Sequence, residues 1–116
     1  MTETSYSQPW TAPVASAPLN AVVSLPGSKS LTNRELALSA LASEPTLLTA
    51  PLASRDSALM IQALRLLGTQ IDELPNGDLK VTPAAFDRSA TIDCGLAGTV
   101  MRFVPPMSVL AKGDIH

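Results

Sequence analysis

Cysteine, histidine and aromatic side chains are nearly missing from this 116-residue sequence: Cys94 and His116 are each the only residue of their kind, and Phe, Trp and Tyr together make up 3%. A single cysteine forms no internal disulfide, and one cysteine with one terminal histidine supplies no zinc ligand set. A reducing cytoplasm is therefore the expected compartment. No basic segment followed by a long apolar core opens the chain. No apolar run approaches the ~18 residues of a membrane span, so neither secretion nor membrane insertion is expected. Excess charge is lacking too: with 16% charged residues and a formal charge of −2, the chain lacks the basic balance of a protein whose main partner is nucleic acid. What is plentiful is apolar character, and 46% hydrophobic residues suit one compact domain or a piece of a larger one.

Residues 1–18 are rich in Ser, Thr, Ala and Pro, with Pro9, Pro13 and Pro18 interrupting any regular element and Glu3 the only charge. They read as a flexible lead-in. Trp10, its largest apolar side chain, is open to two readings: an anchor on a neighbouring surface, or a weakly held residue. From residue 19 the pattern tightens. "NAVVSL" from Asn20 predicts a strand stopped by Pro26-Gly27, and Leu31, Leu38 and Leu41, with Ala37 and Ala40 alongside, predict a helix over about 30–43. "TLLTA" predicts a second strand. "SRDSALMIQALRLLG" predicts a helix with Ser54 or Asp56 as its N-cap, Leu59, Ala63, Leu66 and Leu67 as its apolar residues, and Gly68 as its stop. "TQIDEL" and "DLKVTP" flank Pro75-Asn76-Gly77 and predict a hairpin. "ATIDC" then predicts a strand, and a helical stretch starts near Ala97, with Pro105-Pro106 expected to kink or divide it. The order is β-α-β-α-β-β, followed by a strand and helix that suggest the start of a repeat.

Chemistry concentrates at two turns. In "PGSKSLTNR" a helix beginning at Ser30 turns its unpaired amides and positive dipole end toward Lys29, and Arg34 lies one turn along from Ser30. Gly27 lets backbone approach closely and Pro26 limits the loop's freedom, so the cations are held before a ligand arrives. The bland reading makes Ser28 or Ser30 a simple cap and sends both cations into water. Against it, a lysine at a helix N-terminus opposes the dipole by about 0.3–1 kcal/mol, so stability alone does not explain the arrangement. A phosphate or carboxylate does. A nucleotide P-loop is excluded because Ser28 and Val23 stand where that motif needs glycines. The second turn, "DCGLAGTVMR", places Gly95 and Gly98 around Leu96-Ala97, with Thr99 and Arg102 on one helical face. Such a GxxG turn by itself most often reflects tight packing. The acidic chain and few aromatics count against an RNA-binding KH loop. Cys94 reads as a small buried side chain, with no base to activate it.

Three blocks, "LPGSKSLTNRELALSALA", "LASRDSALMIQALRLLG" and "IDCGLAGTVMRF", occur in that order between about Val22 and Lys112. Together they resemble the start of the 5-enolpyruvylshikimate-3-phosphate synthase family, and "GLAGTVMRFVPP" is most similar to its actinobacterial branch. The resemblance implies an α/β (α+β) enolpyruvyl transferase fold built from six repeated β-α-β-α-β-β units in two lobes. Residues 19–116 would hold the first unit and part of the second, an incomplete lobe inactive alone. The implied reaction transfers the carboxyvinyl group of phosphoenolpyruvate to the 5-hydroxyl of shikimate 3-phosphate, with no metal or organic cofactor, in a full-length monomer. Lys29 matches the catalytic lysine that contacts both substrates. Ser30 and Arg34 match residues holding shikimate 3-phosphate, Gly98 the glycine lining the phosphoenolpyruvate pocket, and Thr99 and Arg102 the neighbours that support it. Leu96 and Phe103 depart from the family, where Asn and Pro are frequent. Two alternatives stand beside this reading. One is the sister transferase acting on UDP-N-acetylglucosamine, disfavoured by Ser30 and the context of Cys94. The other is a noncatalytic anion-binding module.

Overall fold

The computed structural model describes residues 10–23 and 25–116. Half of the lead-in expectation, residues 1–9, and the Ser24 position of the first strand lie outside the described residues. Six elements follow one another: α1 (Lys29–Ala40), β1 (Thr46–Leu48), α2 (Arg55–Leu67), β2 (Gln70–Glu73), β3 (Leu79–Thr82) and α3 (Gly98–Ser108). The strands form an antiparallel sheet in the order β1-β3-β2. β3 is central, with Thr46 opposite Val81 on one side and Ile71 opposite Val81 on the other. The helices cover the sheet: α1 lies over β1 and β3, α2 over β2, and α3 packs on both helices. Leu36, Met60, Leu64, Leu67, Val81 and Val100 are completely enclosed between these layers. The result is a mixed helix and small antiparallel sheet arrangement.

α2 forms as its sequence dictates. Ser54 Oγ accepts from the Ser57 amide at 3.1 Å, and the Ser54 amide donates back to Ser57 Oγ at 2.8 Å, so two otherwise orphaned donors are satisfied. At the other end Gly68 adopts φ 124°, and a side chain there would meet the Ala85 carbonyl oxygen at 2.9 Å. Only glycine fits. The β2–β3 turn is closed by Leu74 donating to the Asp78 carbonyl at 2.8 Å, with Gly77 at φ 87°. Asp78 Oδ1 also accepts from the Ala50 amide at 2.9 Å, which ties this hairpin to the loop between β1 and α2.

Four expectations are corrected. No strand forms over residues 20–23 or at Leu25, and Val22 is 97% exposed. A strand needs a neighbour to receive its amides, and no edge of this sheet takes up the segment. "ATIDC" likewise yields only an isolated parallel bridge, Ala90 with Ile115. α1 starts at Lys29 rather than Ser30, with Ser28 as its cap, and it buries Asn33, Leu36, Ala37 and Ala40 while Leu31, Leu38 and Leu41 face outward. Finally, α3 runs unbroken through Pro105 and Pro106. The carbonyls deprived of donors belong to Met101 and Arg102, both exposed, so water can reach them, and the helix ends at Ser108, soon after the pair.

The outward leucines have a counterpart on α3. Ala37 and Leu38 of α1 and Leu41 at its C-cap line, with Phe103, Pro106 and Met107 of α3, an open apolar groove of about 550 Å³ that Arg34 also borders. Among the described residues no helix is long and apolar enough to cross a membrane, and no group of His, Cys, Asp or Glu is arranged to hold a metal ion.

Candidate functional site

The starts of α1, α2 and α3 meet at one place. Lys29, first residue of α1, donates from Nζ to Asp56 Oδ2 in the first turn of α2 at 3.1 Å. One turn along α1, Asn33 Nδ2 donates to Thr99 Oγ1 at the start of α3 at 2.6 Å and reaches the Asp56 carbonyl at 3.5 Å. Asp56 thus touches both the cation and the residue that holds the second turn. The positive ends of three helix dipoles converge there, which is the setting that favours a bound anion.

The second turn is set by its own sequence. Asp93 Oδ1 accepts from the Gly95 amide at 2.7 Å and the Ala97 amide donates to the Cys94 carbonyl at 3.2 Å, with Gly95 at φ 52°. α3 then begins at Gly98 with no side-chain cap. The amides of Gly98 and Thr99, the first in the helix, have no intrahelical acceptor and remain available to a ligand. A Cβ built on Gly98 meets nothing within 4 Å. The fold therefore does not require glycine at this position.

Of the residues singled out from the sequence, Lys29, Gly98 and Thr99 come together around Asp56 and Asn33. Ser30 is half-buried in the first turn of α1. Arg34 follows Lys29 by five residues, about 140° around the helix, and lies on the groove toward Phe103 of α3. Arg102 is exposed. Among the described residues no ion pair engages Arg34 or Arg102. Lys29 is 60% exposed on its side chain and Asp56 20%, so their pair is one that an incoming anion can reach.

Three residues of this region were not singled out for it. Asn33 could have been found as the one amide on the buried i, i+3, i+4, i+7 face of α1. Asp56 is legible in the sequence only as a cap. Arg55, first residue of α2, brings its guanidinium to 3.0 Å from where a Gly95 side chain would begin, and nothing local in the sequence announces that meeting.

Cys94 is half-buried rather than fully buried. Burial, and secondarily the Asp93 carboxylate, push its thiol above the ordinary range. Since the thiolate is the reactive form, Cys94 should react with iodoacetamide near neutral pH more slowly than an unfolded-state thiol. Denaturant should remove the difference; equal rates in the folded and unfolded protein would refute it.

Residues 13–116 match the family model described as EPSP synthase (3-phosphoshikimate 1-carboxyvinyltransferase). The chain belongs to this family. It is 51% identical over 116 aligned residues to the 3-phosphoshikimate 1-carboxyvinyltransferase of Kocuria rhizophila, covering 91% of this chain and 26% of that protein. It is 47% identical over 112 residues to the protein of the same name from Bifidobacterium longum, covering 92% and 25%. The chain spans about a quarter of the length of these EPSP synthase relatives.

Proposed function

We propose that this chain forms part of an enzyme that transfers the carboxyvinyl group of phosphoenolpyruvate to the 5-hydroxyl of shikimate 3-phosphate. The observation that carries the proposal is the meeting of Lys29 with the Gly98–Thr99 helix start through Asp56 and Asn33. Both substrates are anions, and both turns offer donors and positive dipole ends to an anion. In the reaction the 5-hydroxyl oxygen bonds to C2 of phosphoenolpyruvate while its methylene carbon takes a proton. The tetrahedral adduct then loses phosphate, and the same carbon returns a proton as the double bond forms again.

In this reading Lys29 lies between the substrates and balances the charge that gathers on phosphate and carboxylate, the kind of fixed electrostatic support that lowers such barriers. Ser30 and Arg34 hold shikimate 3-phosphate, Gly98 lines the phosphoenolpyruvate pocket, and Thr99 and Arg102 support it. Residues 19–116 form the first repeated unit of a lobe and the beginning of the second. The remaining length supplies further units, the opposing lobe and the other charged residues of a cleft. These residues alone then do not turn over substrate, and the complete protein works as a cytoplasmic monomer.

The test is phosphate release by the full-length protein, expected only when phosphoenolpyruvate and shikimate 3-phosphate are both present. Release with UDP-N-acetylglucosamine instead would move the assignment to the sister transferase, and anion binding without release would leave a binding module. Gly98→Ala sharpens the test. The added methyl meets no atom of the described chain, so the melting temperature should hold, while crowding of the pocket by about 1–3 kcal/mol should weaken phosphoenolpyruvate binding by about 5- to 150-fold. An unchanged KM for phosphoenolpyruvate would remove Gly98 from that pocket.

A further inference from the structure

Asn33 is a residue that stability does not explain. Its side chain is fully enclosed, and its hydrogen bonds reach from α1 to Asp56 of α2 and Thr99 of α3. Its amide nitrogen serves Thr99 Oγ1 at 2.6 Å and the Asp56 carbonyl at 3.5 Å, while its Oδ1 is buried with no partner among the described residues. The net gain from a neutral buried hydrogen bond is no larger than the cost of leaving a buried acceptor unmatched, so an apolar side chain of similar shape would serve folding as well or better. What an apolar residue cannot supply is direction. Ala97 and Val100 hold α3 by apolar contact, and its first turn has no side-chain cap. Among the described residues, the Asn33–Thr99 bond is the only side-chain hydrogen bond joining α1 to α3.

We propose that Asn33 is a positioning residue, fixing the helix start that carries Gly98 and Thr99 against the helix start that carries Lys29, and so setting the phosphoenolpyruvate side of the site. The proposal rests on the function proposed above. Asn33 touches no substrate in this scheme; it acts through Thr99. Because Ser28 and the bond from the Leu52 amide to Thr32 Oγ1, at 3.0 Å, anchor the start of α1 independently, loss of Asn33 moves α3 and leaves Ser30 and Arg34 in place. The two substrates must then respond differently.

The experiment uses the full-length enzyme with Asn33→Leu, Thr99→Val, Thr99→Ser and the Asn33→Leu/Thr99→Val double variant. Asn33→Leu should melt no lower than the parent. It should raise KM for phosphoenolpyruvate by about tenfold while KM for shikimate 3-phosphate stays within about twofold, the size of effect seen when contacting residues are uncoupled. Thr99→Val should reproduce the shift, Thr99→Ser should restore parental values, and the double variant should be no worse than either single one. Hydrogen exchange at the Met101 and Arg102 amides, which close the first turn of α3, should quicken in both Asn33→Leu and Thr99→Val. An unmoved KM for phosphoenolpyruvate, equal shifts for both substrates, or additive losses would each overturn the role. If Asn33→Leu does not fold, the contrast between Thr99→Val and Thr99→Ser decides. If the parent enzyme releases no phosphate, the proposed function fails separately, and unchanged exchange at Met101 and Arg102 still refutes the positioning role.

Discussion

Lys29→Ala in the full-length enzyme is expected to lower kcat by about 10²- to 10³-fold, the range for removing one electrostatic stabiliser of a transition state, with little change in melting temperature. Separate magnitudes predict the two halves of this result. The side chain is 60% exposed and its partner is Asp56. An exposed pair of this kind contributes roughly 0.2–1 kcal/mol. Placing a cation at the first residue of a helix costs about 0.3–1 kcal/mol, so the two effects on folding nearly cancel. The catalytic loss has no such offset, because no other cation of the described residues is bound to Asp56. Lys29→Arg should keep charge but misplace it, giving an intermediate rate. A parental kcat in Lys29→Ala would end the assignment of this residue.

Arg34→Ala is expected to raise KM for shikimate 3-phosphate by about 10- to 150-fold, which corresponds to a charged hydrogen bond of roughly 1.5–3 kcal/mol. Its guanidinium has no ion-pair partner among the described residues, so nothing in this part of the chain competes for it. The stem of Arg34 also lies at the apolar groove beside Leu38 and Phe103, and truncation removes that contact as well as the charge. Arg34→Met separates the two: it keeps an apolar stem, so it should retain the parental melting temperature while showing the full loss of affinity. If Arg34→Met binds shikimate 3-phosphate as the parent does, the residue serves packing and not the substrate.

Elements held by local chemistry were readable from the sequence. Ser54 and Gly68 bracket α2, and Pro75-Asn76-Gly77 closes the hairpin, each through contacts within a few residues. Elements that depend on distant partners were not. "NAVVSL" has strand character but no edge to pair with, and "ATIDC" reaches only a single bridge. The leucine spacing that announces α1 does not disclose which face it buries: Asn33 and Ala37 turn inward and Leu38 is 70% exposed. For the site, residue types at the two turns disclosed an affinity for anions. Their meeting through Asp56 and Asn33 spans up to 66 positions of sequence, and no periodicity carries that information.

The groove between α1 and α3 bears on how such a chain is made. In a protein as long as its relatives, each further hundred residues made after this segment take on the order of ten seconds at about 5–20 residues per second. Until a partner covers them, Leu38, Leu41 and Phe103 line an oily surface open to water. Nascent chains of this kind should recruit chaperones early, and slowing translation should lower the yield of active protein more than it lowers synthesis.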